Sequence, residues 1–170
     1  CFLEGSGRKT FICRKEKPNG DFVKEISRTF DEAAANAPSI LLLDDMDKFA
    51  NSDERHPDAE EYVTVQSCID NAKGEDVFVI ATVNHLFNLP RSLRRPGRFD
   101  RIIEIAEPKG ADSLAIISHY LRNKPLAADI DTNLIAHIMD GRSCAELETV
   151  VNTAGIHAGY ERADAITTKH

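Results

Sequence analysis

Three groups of residues have the types and spacing to do chemistry. The apolar run over 40–43 stops at two adjacent carboxylates, Asp44 and Asp45. The apolar run over 77–82 is followed closely by an amide, Asn84. Five arginines then fall within residues 91–101, with Pro96-Gly97 placing Arg95 and Arg98 on one turn. Phosphoryl transfer needs a divalent cation at the phosphate, a group that orients the attacking water, and positive charge for the transition state. Paired acids could hold the cation and orient the water. A neutral amide can bond both a phosphate and a water. Guanidinium groups stabilise a transferring phosphoryl, often from a neighbouring subunit. Each group also has a plainer reading: a solvated pair of acids at a strand end, a turn-capping Asn, and a basic patch.

These residues need elements that present them. Periodicity predicts a strand over 10–13, a loop over 14–20, and a helix carrying Val23, Ile26, Phe30 and Ala34 that ends before Pro38. The run over 39–43 reads as a strand covered on both faces, delivering its acids at the carboxyl edge of an open α/β sheet. A polar loop over 50–59 precedes a helix marked by Tyr62, Val65 and Ile69; strands follow over 77–82 and 102–106. The alternation predicts an α/β fold with a parallel, helix-covered sheet. Beyond Pro108–Gly110 only helices are expected. One carries Leu114, Ile117 and Leu121; a second carries Leu134, Ile135 and Ile138 and closes at Gly141; a third opens on a Ser143/Glu146 capping box. The expected domains are 1–108 and 109–170.

Composition narrows the function. A net charge of −7 in 170 residues argues against a general nucleic-acid or anionic-membrane surface. No apolar run approaches the ~18 residues that span a bilayer. Four scattered cysteines without a CxxC pair suit free thiols in a reducing compartment, so a cytoplasmic location is expected. Six histidines form no HExxH or His-x-His pattern, which argues against a protein-ligated zinc. Cys1 rather than Met opens the chain, and it reads as an excised fragment.

The order and spacing of the three groups carry a resemblance. LLLDDMDK resembles the Walker B strand of AAA+ ATPases, VIATVN their sensor 1 strand, and LRRPGRFDR their second region of homology. Downstream, RNKPLAADID and GRSCAELETVVNTAG resemble the helical lid of the AAA metalloprotease (FtsH-type) branch. The resemblance implies a P-loop NTPase-type sheet followed by a small all-α lid, with ATP and Mg2+ as cofactors. It assigns Asp44 to Mg2+ and puts Asp45 in the slot usually filled by a catalytic Glu. Asn84 becomes sensor 1, and Arg95 and Arg98 become arginine fingers acting in trans. Ala145, within Ser143-Cys144-Ala145, falls on the nucleotide side of the lid, and Tyr120 falls where many relatives keep an adenine-side His. The resemblance further implies a homo-oligomeric ring, hexameric, that remodels or unfolds a protein substrate. A degenerate, non-catalytic ring subunit is the alternative. A nucleic-acid-acting relative is disfavoured by the lid and the acidic charge.

One part of such a site is not apparent. GSGRKT at 5–10 fails G-x-x-x-x-G-K-[ST], because Arg8 and Leu3 stand where glycines are needed and no apolar strand precedes it. Aligned on the family, 1–7 resembles the end of the helix after the true loop, and 9–15 the second strand. The chain is therefore expected to lack the first strand and phosphate loop, which leaves a gap beside the strand over 77–82. The isolated chain should bind ATP weakly or not at all. For a substrate-gripping pore loop Phe22-Val23 is the only candidate, with simple packing of Phe22 at a helix start as the alternative.

Overall fold

A computed structural model describes residues 2–17, 21–50 and 59–170. The chain divides into two compact units, Cys1–Ile102 and Ile103–His170.

The first unit is built on three parallel strands, β1 (Lys9–Arg14), β2 (Ser39–Asp44) and β3 (Val77–Ala81), in the order β1-β2-β3. The register runs Lys9↔Ser39 to Arg14↔Asp44 on one side of β2 and Ser39↔Val77 to Leu43↔Ala81 on the other. β2 is the central strand, which is why its sequence is nearly all apolar: Ile40, Leu41 and Leu43 are buried. A four-residue helix, α1 (Phe2–Gly5), precedes β1, and the crossovers run through α2 (Phe22–Ala35) and α3 (Ala59–Asn71). α2 turns Phe22, Ile26, Phe30 and Ala33 inward at helical spacing. They meet Leu41 and Leu43 of β2 and Val65 and Ile69 of α3 in one core that also holds Met46, Phe49 and Leu93. Each large apolar side chain removed from water there contributes ~1.5–3 kcal/mol. Phe22 lies edge-on to Phe49 with ring centroids 5.0 Å apart and is buried, so packing at the helix start is its observed role. The expected loop over 50–59 falls almost entirely outside the described residues.

One expectation needs correction. The strand over 102–106 does not form; these residues take no regular secondary structure, and Ile103 and Ile105 are 71% and 86% exposed. A strand forms only where another satisfies its N–H and C=O groups, and among the described residues no strand lies beyond β3. On the central strand β2, Ile40 and Leu41 point to opposite faces and both are buried, as expected of a strand covered on both sides. Along the flanking strands alternate residues face the core, whereas Ile12 and Phe78 on the other face are each 56% exposed.

The second unit holds α4 (Ala111–Leu121), α5 (Thr132–Ile138) and α6 (Cys144–Tyr160) around Ile117, Leu121, Ala136, Leu147 and Val151. Asp131 caps α5 by accepting from the N–H groups of Asn133 and Leu134. The predicted capping box opens α6: Glu146 N–H donates to Ser143 Oγ at 3.3 Å, and Ser143 N–H donates to Glu146 Oε2 at 2.8 Å. Asp140 ties the end of α5 to the start of α4, accepting from Gly110 N–H at 2.6 Å and from the buried Ser113 hydroxyl at 3.1 Å. Gly141, at φ 75°, takes the left-handed position that ends this helical stretch.

Candidate functional site at the carboxyl edge of the sheet

β2 and β3 end side by side, so their terminal polar residues meet at one edge. Beyond Ala81 the ladder extends one residue, with Thr82 N–H donating to Leu43 O at 3.0 Å and Met46 N–H to Thr82 O at 2.9 Å. This fixes the Thr82 side chain between the two acids. Its hydroxyl donates to Asp44 Oδ1 at 2.7 Å and accepts from Asp45 N–H at 2.9 Å. One hydroxyl thus ties the Asp44 carboxylate to the Asp45 backbone.

The second oxygen of Asp44 is also engaged. Register places Arg14, the last residue of β1, beside Asp44. Arg14 Nε donates to Asp44 Oδ2 at 2.7 Å, and a terminal nitrogen of the same guanidinium donates to that oxygen too. The Thr82 hydroxyl first, and the Arg14 guanidinium next, hold the Asp44 carboxyl below the ordinary carboxylate range. Asp45 adopts φ 52°, ψ 47° and opens the short 3-10 turn Met46–Lys48. For a residue with a Cβ this left-handed conformation costs roughly 1–2 kcal/mol, and strain of this kind persists only where neighbours over-determine it. Here the Thr82 contact holds the backbone, and Lys48 Nζ donates to Asp45 Oδ2 at 2.7 Å. Asn84, two residues past Thr82, is exposed at the same end of β3.

The arginine turn is a different structure. Arg98 N–H donates to Arg95 O at 3.2 Å with Gly97 at φ 87°, the pattern of a type II turn with Pro at its second position. Arg95 is exposed, and among the described residues it makes no ion pair. Arg98 is held within its own chain, its side chain 11% exposed. Its Nε and a terminal nitrogen donate to Asp70 of α3 at 3.1 and 2.5 Å, and its other terminal nitrogen to Ser92 O at 2.8 Å. Arg98 and then Lys73 depress the Asp70 carboxyl well below its usual range. No hydrogen bond or ion pair joins Arg95 or Arg98 to Asp44, Asp45 or Asn84. The structure therefore gathers the two acids and the amide at one edge and leaves the arginines apart. Ala145, exposed in the first turn of α6, belongs to the other unit. In that unit Tyr120 packs against the helical core, its ring 5.6 Å from that of His119.

GSGRKT runs from the end of α1 through a turn into β1, the reverse of a strand–loop–helix cradle. Among the described residues no group of three or more His, Cys, Asp or Glu side chains could hold a metal. One carboxylate, Asp44, could hold a magnesium ion whose other ligands are phosphate oxygens and water.

Sequence reasoning missed Arg14, Thr82 and Asp70. Arg14 was the most accessible, because each of the first two strands ends in a charged residue and their parallel pairing sets those ends side by side.

A parallel helix-covered sheet, with paired carboxylates and an amide at its carboxyl edge and helices following, defines a P-loop NTPase-like protein. The chain belongs to the AAA family, ATPases associated with various cellular activities, whose model matches residues 10–107. It is 36% identical over 143 residues to a cell division cycle protein 48 homolog of Archaeoglobus fulgidus, covering 82% of this chain and 20% of that protein. It is 35% identical over 139 residues to the ATP-dependent zinc metalloprotease FtsH of Acidothermus cellulolyticus, covering 76% and 21%. It is 29% identical over 161 residues to the proteasome-activating nucleotidase of Methanoculleus marisnigri, covering 91% and 39%. The chain thus spans about a fifth to two fifths of the length of these relatives.

Proposed function

We propose that this chain is the ATP-binding and ATP-hydrolysing module of a ring-forming, hexameric AAA+ machine that remodels or unfolds protein substrates in the cytoplasm. The observation that carries the reading is the pair Asp44 and Asp45, tied together by Thr82 at the end of the sheet where Asn84 follows β3. In this reading Asp44 holds Mg2+, and Asp45, aimed by its strained backbone, orients the attacking water. Asn84 bonds the phosphate and the water. Bound magnesium would supply charge neutralisation at the β- and γ-phosphate oxygens. Arg95, exposed on a rigid turn, reaches a neighbour's nucleotide, with Arg98 beside it on the same turn, and Ala145 lies on the nucleotide side of the lid. No nucleic-acid partner is invoked.

The phosphate cradle is not among the described residues, since Gly5–Thr10 turns into a strand. We therefore expect the isolated 170-residue chain to bind ATP weakly or not at all, and tight calorimetric binding would refute this. One observation favours a second reading, a non-catalytic ring subunit: Arg14 and Lys48 already neutralise Asp44 and Asp45. ATP hydrolysis by the complete protein decides between them. The first reading expects activity that Asp44→Ala and Arg95→Ala each abolish, partly restored when the two inactive proteins are mixed. Equal activity in all three overturns the site assignments; no activity in the wild type supports the second reading.

A further inference from the structure

We propose that Arg14 is a built-in competitor for the metal at Asp44, leaving that carboxylate for the groove that carries Glu16 when the cation binds. The inference rests on the reading of Asp44 as the magnesium carboxylate. A carboxylate oxygen accepts about two bonds, and Asp44 Oδ2 takes two from one guanidinium. Oδ1 is half used by Thr82. Direct ligation through Oδ2 therefore requires Arg14 to withdraw, and a divalent cation beside a guanidinium on one carboxylate also meets like-charge repulsion. Arg14 is free to withdraw. Its side chain is 58% exposed and, among the described residues, bonded only to Asp44. It lines an open groove of about 540 Å³ that also carries Glu16, Lys17, Asp21 and Glu25. Asp21 and Glu25 are engaged by Lys24 and Arg28, whereas Glu16 makes no ion pair among the described residues and is the natural second partner. Arg14 thus stands between two carboxylates, one at the sheet edge and one in the groove.

An exposed ion pair changes an equilibrium by a few-fold rather than by orders of magnitude, so the effect is a tuning of metal affinity. The test is Mn2+ binding to the complete protein with saturating ADP, followed by the EPR signal of free Mn2+, with melting temperatures confirming that each variant folds. Arg14→Ala is expected to bind Mn2+ about fivefold tighter than wild type, near the limit for an exposed pair. Arg14→Lys, which retains the charge but offers no two-nitrogen grip, should lie between them. Binding by Arg14→Ala no tighter than wild type overturns the competition while leaving Asp44 as the metal carboxylate, provided Asp44→Ala loses binding. Binding that Asp44→Ala leaves unchanged, or that the wild type never shows, overturns both the metal role of Asp44 and the competition built on it.

Discussion

Replacing Thr82 with Val removes one hydroxyl and keeps the shape, so it isolates the bridge between the acids. The hydroxyl makes two bonds, one to the Asp44 carboxylate and one from Asp45 N–H. A bond to a charged partner contributes ~1.5–3 kcal/mol and a neutral one ~0.5–1.5 kcal/mol. Thr82 is exposed, so water replaces part of both, and the expected loss is roughly 1–2 kcal/mol. With a urea slope of ~1–3 kcal/mol/M this lowers the unfolding midpoint by roughly 0.3–2 M. The loss also has a pH signature. The folded Asp44 carboxyl is held below its ordinary value of 3.8, chiefly by this hydroxyl. Its contribution to stability is complete above that value and fades as pH falls through the lower, folded value. The gap between wild type and Thr82→Val is therefore widest at pH 7 and narrows toward pH 3. Urea unfolding of the chain at both pH values, followed by far-UV circular dichroism because the sequence has no Trp, measures it. Equal gaps at the two pH values, or no gap at either, would refute the bridging role.

Phe22→Ala should cost ~3–5 kcal/mol, since the ring is buried against Phe49. A denaturation midpoint near wild type would show instead that the ring adds little to the core. Ser143→Ala removes one half of the α6 capping box and should cost ~1 kcal/mol, read as a lower melting temperature of the second unit. Native-state thiol titration should label exposed Cys144 quickly and leave Cys13 unreacted; burial, with the Glu25 charge adding to it, pushes the Cys13 thiol up to about 12. Fast labelling of Cys13 without denaturant would mean that β1 opens readily. Asp70→Asn should leave Arg98 without its charged partner and raise protease sensitivity across the 91–101 turn; an unchanged digestion pattern would show that the turn stands without the pair.

Local pattern told most of the first unit. Apolar runs of strand length bounded by Pro, Gly and acids gave β1, β2 and β3, and the i, i+3, i+7 spacing of Val23, Ile26 and Phe30 gave α2. Asp44, Asp45 and Asn84 were legible because each follows directly on an apolar run. The run over 102–106 looked just as strand-like, but a strand is a relation between two segments, and its isoleucines cannot report whether a partner exists. The same limit hid Thr82 and Arg14. Thr82 reads as the last β-former of its strand until the ladder sets it across from Asp44. Arg14 reads as the start of a polar loop until β1 and β2 pair.

Arg95 and Arg98 show how three dimensions separate residues that sequence treats as equivalents. They sit three positions apart on one Pro-Gly turn, and their resemblance to arginine fingers is shared. Yet Arg98 spends three of its five donors on Asp70 and Ser92 of its own chain, while Arg95 projects from the same turn without an ion pair among the described residues. An arginine that serves a neighbour's phosphate must be held at its base and unspent at its tip. Arg98, by tying the turn to α3, supplies the hold, and Arg95 keeps the unspent guanidinium. For Arg98 to act in trans as well, it would first have to leave Asp70, uncovering a carboxylate next to the incoming phosphate. That like-charge encounter makes Arg95 the arginine whose removal should cost hydrolysis most.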